Sequence, residues 1–505
     1  MRLVEALALA GRADEAIAAG HELIGQLGDQ AASAPARALV HVRLARAAVA
    51  ATRWAAAGQH LTAAARLLDT SPDAVLRAET LALEADAALG AGDQPRAREL
   101  AERALDQPGA TPEVRCHALE VTGRSLRLGD LAAAREAFER ALGVADDAGL
   151  PFWRLRALHE LGTIELLDHV GTTRLTQARE TAAELGALGT AAVLDLQLAA
   201  AADSRFDPDR AAAHARYALD ISERLGLHGV RAKALYFLAE SSALRPDREM
   251  TEHYIALTLA AAPDDTALAA FCWGGCRGVA ALLDGDRAAA LAALDISAGI
   301  LRNSTNAEPA NFRSLWPLLL AVTGDDRAPA AIAEIRASGI AAFFCHRGLL
   351  GYAEAILAGQ AGDRDRAASL AAAAGAELTR FRGWADLGRM CAAEAAVRDG
   401  WGDPHRWLTE ARQFFAAGGY GRLARRCGAL LGRLPPGDWA AGAGVTRREA
   451  EVLRLIAEGL SNQEIAARLY LSRRTVEKHV ESLLRKSGAS SRTQLLAIAG
   501  PQGRT

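Results

Sequence analysis

The pair Gly-Asp returns at a nearly fixed interval along this chain, and that recurrence limits the possible folds more than any other feature. It stands at Gly92-Asp93, Gly129-Asp130, Gly285-Asp286, Gly324-Asp325, Gly362-Asp363 and Gly402-Asp403. Neighbouring pairs are 37, 39, 38 and 40 residues apart, and the 156 residues between Gly129 and Gly285 divide into four steps of 39. Weaker turn signals fall where those steps predict: at Asp168, at Asp207 before Pro208, and at Pro246 before Asp247. Gly11 and Thr52 extend the series upstream, so eleven turns span positions 11 to 402. A period of this length is that of a repeated helical hairpin, which must bury its uncovered face on the next copy.

The residues between the turns agree with that reading. Ala97, Ala104 and Leu105 recur 37 residues later as Ala134, Ala141 and Leu142. Small residues let antiparallel helices approach closely, and Gly permits the turn between them. Half of the 505 residues are apolar and only 5% are aromatic. The apolar mass is chiefly Ala and Leu, which favours helices over a large sheet and excludes wholesale disorder. Period and small-residue pattern resemble tetratricopeptide repeats in a longer form than usual. The resemblance implies an all-α, TPR-like superhelix of about eleven hairpins over residues 1–433, with a concave surface for a peptide, protein or small molecule. On this reading the array begins at once around Gly11, so either the protein has no N-terminal catalytic or sensory domain or the chain is a fragment of a longer relative.

Several function classes drop out. Only three of the 58 basic residues are Lys (Lys233, Lys478 and Lys486), and they follow Ala232, Glu477 and Arg485. The Gly-Lys pair of a phosphate-binding P-loop is therefore absent. No run approaches the roughly 18 uninterrupted apolar residues of a membrane helix. The start carries Glu5 and no clear cleavage site, so it reads as helix rather than signal peptide. Six scattered Cys give no disulfide framework, which suits a reducing cytoplasm. Cys272 with Cys276, and Cys345 beside His346, lack the four-ligand spacing of zinc sites and read as packed small residues. His159-Glu160 opens like a zincin motif, but Thr163 stands where the second His belongs. Trp273, Trp316, Trp384 and Trp407 are expected to fill gaps between repeats rather than line a groove. No catalytic residue, metal ligand set or cofactor is nominated, and no membrane partner is expected.

The C-terminal segment differs in charge and punctuation. Residues 445–505 hold nine Arg and two Lys against six Glu, a balance of +5, whereas the other 444 residues balance at −8. Such a basic tail on an acidic body is the footprint of a chain that meets nucleic acid at one end. Residues 434–444, rich in Pro and Gly from Leu434 to Gly444, mark a linker. Four short helices follow. Thr446 with Glu449, Ser461 with Glu464, and Ser491 with Gln494 form capping boxes before apolar runs, and Ser472 caps the third helix. Only Tyr470 and Leu471 separate the second helix from the third, which is short enough for a helix-turn-helix. On the third helix Val476, Val480, Leu483 and Leu484 share one face, and Arg474, Lys478, Glu481 and Arg485 share the opposite one.

These residues carry a specific resemblance. Thr446-Arg447-Arg448-Glu449-Ala450-Glu451-Val452-Leu453, Gly459-Leu460-Ser461-Asn462-Gln463-Glu464-Ile465-Ala466 and Ser472-Arg473-Arg474-Thr475-Val476-Glu477-Lys478-His479-Val480 are similar to the hallmark blocks of LuxR-type (NarL- or GerE-type) helix-turn-helix domains. The resemblance covers Thr446 to Ala499. It implies phosphate contacts from Asn462, Gln463, Ser472, Arg474 and Thr475, base reading by Glu477, Lys478 and Glu481, and a homodimer contact from Leu495 and Ile498 on the fourth helix. Lys478 would donate to guanine O6 or N7, and Glu477 or Glu481 accept from cytosine N4. One departure is Ser487, where the family usually has an apolar residue. A helical array joined to this domain resembles the large MalT-like regulators, without their nucleotide-binding module. The expectation is a cytoplasmic transcription regulator that binds double-stranded DNA as a homodimer. Its array receives an effector or protein partner, and RNA polymerase is a further partner. The alternative is an interaction scaffold with a vestigial tail domain.

Overall fold

The computed structural model describes residues 3, 13–28, 33–127, 129–245, 247–302, 310–434 and 445–499, with side chains of the last helix described through Leu495. Every regular element among them is a helix. By backbone contacts the chain falls into two compact units, Met1–Leu198 and Ala199–Thr505. The boundary lies inside helix Leu188–Ser204, at a point where the repeat period runs on without a break.

The Gly-Asp pair does two jobs at four of its six turns. Helix Ala74–Gly90 ends as Gly92 enters the left-handed region at φ 87°. Asp93 N–H then donates back to Ala88 O at 2.9 Å and Gly92 N–H to Leu89 O at 3.0 Å, which satisfies two terminal carbonyls. The same Asp93 begins the next helix, its carboxylate accepting from Arg96 N–H at 3.1 Å. Asp130, Asp207, Asp247, Asp286, Asp363 and Asp403 cap their helices in the same way. Three turns have no Gly to supply the left-handed residue, and there Thr52, Val170 and Phe206 adopt φ of 57°, 57° and 58°. Packing of the flanking helices prevails over the preference of these side chains. The turn expected at Asp168 therefore falls at Val170, because helix Pro151–His169 runs further than its composition suggests. The expected turns at Gly11 and Pro246 lie outside the described residues, as does most of the linker.

Buried charges follow a rule. Seven carboxylates are buried among the described residues: Glu79, Asp86, Glu120, Asp195, Asp203, Asp386 and Glu449. The six in the array all sit on the first helix of their hairpin. Glu79 pairs with Arg43 and Arg46 of the preceding hairpin. Asp86 meets His117 at 3.0 Å and Glu120 meets Arg156 at 2.6 Å, both partners lying on the following hairpin. Asp195 and Asp386 take Arg179 and Arg389 at 2.7 and 2.9 Å. All but the Asp386–Arg389 pair, which lies within one helix, register neighbouring hairpins, because a buried carboxylate left alone is strongly unfavourable.

In the second unit, residues far apart in sequence meet. Phe206 lies edge-on to Trp384, Phe414 and Tyr420, with ring centroids 5.3, 5.9 and 6.2 Å away. Tyr420 donates its hydroxyl to Leu244 O at 2.8 Å across 176 residues of chain. Glu394 receives Arg287 at 2.6 Å and Arg426 at 2.9 Å. Helices far apart in the repeat order thus touch one another within this unit. Trp316, Trp384 and Trp407 are buried and fill gaps between helices, and all six cysteines are buried and free. One first helix is irregular, with Cys272–Gly278 as a π-helical segment between Thr266–Phe271 and Val279–Leu283. A Cβ on Gly274 would lie 2.1 Å from the Phe312 ring, so only glycine admits that ring. This 18-residue stretch, Thr266–Leu283, is long and apolar enough to cross a membrane by length and composition, yet most of it is buried inside the unit.

Two turn positions carry opposite expectations. No heavy atom stands within 4 Å of a Cβ placed on Gly92, so Gly92→Thr loses stability for conformational reasons alone. It is expected to lower the stability of its hairpin by about 1–2 kcal/mol. Thr52→Gly, at an exposed turn, is expected to shift the urea unfolding midpoint in the other direction.

Candidate nucleic-acid interface

The C-terminal helices pack around a small core of their own. Val452, Leu453, Leu455 and Ile456 come from the first helix (Arg447–Ala457), Ile465 and Ala466 from the second (Asn462–Leu469). Val476, Val480 and Leu483 come from the third (Arg473–Ser487), joined by Ala489 and by Leu495 of the fourth (Arg492–Ala499). The capping boxes at Thr446 and Ser461 are complete: Glu449 and Glu464 each accept from the cap residue's N–H at 2.7 Å. At the fourth helix the hydroxyl of Ser491 accepts from Gln494 N–H at 3.2 Å, but the Gln494 side chain reaches Ser490 instead.

The turn that sets the third helix is tight. Tyr470 takes φ 54°, and Leu471 N–H closes onto Ala466 O at 2.9 Å. Ser472 then caps the third helix, its hydroxyl accepting from Thr475 N–H at 3.1 Å and lying 2.7 Å from the Thr475 hydroxyl. With Val476 and Leu483 fully buried beneath, the helix presents Arg474, Lys478, Glu481 and Arg485 to solvent. Glu477, half-buried, is held by Arg473 one turn away at 3.0 Å. Gln463 is exposed on the second helix, and Asn462 accepts a hydrogen bond from Arg492. A narrow polar face with basic groups, backed by a packed apolar one, is what a helix needs to enter a major groove.

Three polar clamps have no signature in the sequence. Lys486 binds Glu449 at 2.7 Å, with both side chains largely buried, and so ties the third helix to the first. Arg448 donates to Leu469 O at 2.6 Å and pairs with Glu451 at 2.6 Å, fixing the end of the second helix. Arg492 donates to Leu460 O and to Asn462, joining the fourth helix to the start of the second. Lys486 and Arg492 look like ordinary members of a basic tail, and only the packing separates clamps from solvent-facing cations. Burial pushes the Glu449 carboxyl upward, but hydrogen bonds from Lys486, Ser482 and Thr446 outweigh it and hold the group at about 2.

Leu495 requires a correction. It is completely enclosed in the core of its own domain, so it cannot meet a second copy of the chain. The side chain of Ile498 lies outside the described residues. Ser487, the departure from the family pattern, accepts from Ala489 N–H at 3.3 Å and donates to Leu484 O at 3.2 Å. It ends the helix by hydrogen bonding, while Ala489 and Leu495 supply the apolar packing.

Residues 443–499 match the family described as bacterial regulatory proteins, luxR family. The C-terminal domain is a LuxR-family helix-turn-helix. A protein named as an HTH-type transcriptional regulator of Mycobacterium bovis is 33% identical over 161 residues, which is 29% of this chain and 17% of that protein. Response regulator Rre1 of Synechocystis is 50% identical over 60 residues, 12% of this chain and 26% of its own length. The chain thus spans well under a third of these relatives. The crystal structure of a Rap protein complexed with competence and sporulation factor aligns over 79% of this chain and 99% of that one, at 13% identity and a TM-score of 0.46.

The Glu449–Lys486 clamp predicts both a mutant effect and a pH effect on the LuxR-type domain. Lys486→Met is expected to destabilise it by about 2 kcal/mol, read by thermal unfolding. Because the folded pKa of Glu449 lies below its ordinary value of 4.5, the contribution is full above that pH. It fades as pH falls from 4.5 towards about 2. Glu449→Gln should flatten this acid limb.

Proposed function

We propose that the chain is a cytoplasmic DNA-binding transcriptional regulator, without enzymatic activity. Its LuxR-type domain reads a promoter site, and its helical array, residues 1–433, receives an effector or protein partner. The observation that carries this reading is the recognition helix, whose exposed Arg474, Lys478, Glu481 and Arg485 stand on a face opposite the buried Val476 and Leu483. A surface helix serving only solubility does not need its register fixed by a tight turn, an N-cap and a buried ion pair.

On DNA, the N-termini of the second and third helices face phosphate. There Asn462, Gln463, Ser472, Arg474 and Thr475 set the register, since contacts to phosphate position a protein without reading sequence. Lys478 donates to guanine, and Glu481 and Glu477 stand where a cytosine amino group can be accepted. Arg473 competes for Glu477, so Glu481 is the freer of the two acceptors. A homodimer on an inverted repeat fits this class of domain; with Leu495 buried, the contact uses other residues of the fourth helix. RNA polymerase is the partner through which such a regulator acts on transcription.

Selection from a randomised duplex pool, with the whole chain and with residues 434–505, tests the reading. Enrichment of one inverted repeat is expected. Lys478→Ala should then weaken binding by about 1–3 kcal/mol and relax preference at one position, whereas Ser472→Ala should weaken all sequences alike. No enrichment above a salt-sensitive background would favour an interaction scaffold with a vestigial domain.

A further inference from the structure

Asp203 breaks the rule that the other buried carboxylates obey. Each of the other six meets an Arg, Lys or His side chain within an ion-pair distance. Asp203 is 4% exposed and has no such partner among the described residues. Its Oδ1 accepts a long hydrogen bond of 3.4 Å from the Ser241 hydroxyl, and its Oδ2 is buried with no hydrogen bond at all. A buried acceptor in that state is among the most unfavourable arrangements a fold can hold, and it calls for a missing group.

The surroundings say what charge is missing. Glu240 and Asp207 act on Asp203 as further negative charges, and Arg245 acts on it as a positive one. Arg245 is itself committed to the Asp209 carboxylate. Tyr236 and Cys276, which also feel the Asp203 charge, become negative if they ionise. The remaining neighbours are neutral and polar: the Ser241 hydroxyl, and Ser204, whose hydroxyl accepts from Asn311 at 2.7 Å. No group of three metal-ligating side chains is found among the described residues. One free oxygen rather than two favours a single-point donor over the two-pronged guanidinium used elsewhere in the array.

We propose that Asp203, with Ser241 bonded to it and the Ser204–Asn311 pair beginning at the next residue, anchors a small molecule that carries a primary ammonium group. The ammonium supplies the cation that a basic side chain supplies to each of the other buried carboxylates. The π-helical segment Cys272–Gly278 packs on helix His228–Leu244, which carries Ser241, and on the turn Asn311–Ser314, an irregularity of the kind found where helices form sites. The site rests on reading the array as a receiver of effectors, and it names the class of effector. Without the ligand, burial and Glu240 hold the Asp203 carboxyl well above the usual carboxylate range, so it keeps its proton. When an ammonium arrives, that proton leaves to solvent and an ion pair forms.

The test uses the full chain without DNA, so its failure is separate from failure of the promoter-reading role. Thermal unfolding is followed with methylammonium or ethanolamine chloride, against equal sodium chloride and tetramethylammonium chloride, which cannot donate a hydrogen bond. A saturable rise in Tm is expected with the two primary amines alone, as for any ligand bound only by the folded state. A carboxyl with a raised folded pKa stabilises at low pH and loses that contribution as pH rises through the folded value. The amine effect should therefore grow as pH rises above the ordinary carboxylate range. Asp203→Asn should abolish the effect while leaving the unliganded chain as stable or more so. Should that variant misfold, calorimetry of the natural chain in two buffers serves instead, with release of about one proton per amine expected. An equal Tm rise in Asp203→Asn, no rise beyond sodium chloride, or no proton release would each overturn the site.

Discussion

An array built from Ala and Leu hairpins depends on ending one helix and starting the next within about three residues, many times over. Each carbonyl at a helix end and each N–H at a helix start needs a partner, and the chain has no room for a loop to supply them. The Gly-Asp pair meets both needs at once: glycine takes the left-handed conformation that folds the end back, and the aspartate caps the next helix. Where Gly is absent, Thr52, Val170 and Phe206 are driven into the same conformation. Helix packing on either side therefore enforces the turn, and the pair makes it inexpensive.

Once hairpins stack, small apolar residues alone give poor register, because Ala surfaces slide past one another with little change in energy. Buried carboxylates on the first helices remove that freedom. Glu79, Asp86 and Glu120 each reach a basic group one hairpin away, so a misaligned hairpin would leave a buried charge unmatched. In the second unit aromatic contacts and the Arg287–Glu394–Arg426 triad add constraints between distant repeats. Against that background the solitary Asp203 stands out.

The LuxR-type domain solves a different problem, holding a polar face still enough to read bases from a core of about a dozen side chains. Its apolar core fixes which face of the third helix is turned inward. The Lys486–Glu449 pair and the Arg448 and Arg492 bonds to backbone carbonyls then fix how far the helix slides and tilts. Lys486 and Arg448 are thereby paired with Glu449 and Glu451 inside the domain, so these cations serve its packing.

Local chemistry was legible because each signal lies within a few residues. Turn spacing, caps, the short helix-turn-helix connection and the two faces of the recognition helix are read from neighbours in the chain. The same spacing that revealed the turns could not place Val170, whose φ is set by helices on either side. It could not show that Phe206 would meet Tyr420, that Phe312 would seat on Gly274, or that Lys486 and Arg492 would be clamps. Leu495 illustrates the limit: an apolar residue on a short amphipathic helix suits a dimer contact or a core equally, and only packing assigned it to the core. By itself the sequence determined an all-helical repeat array and a DNA-reading helix-turn-helix, since helix propensity, capping and period are local quantities. The tertiary structure alone decided which buried charges find partners and which does not, because that pairing depends on distances between residues the sequence sets far apart.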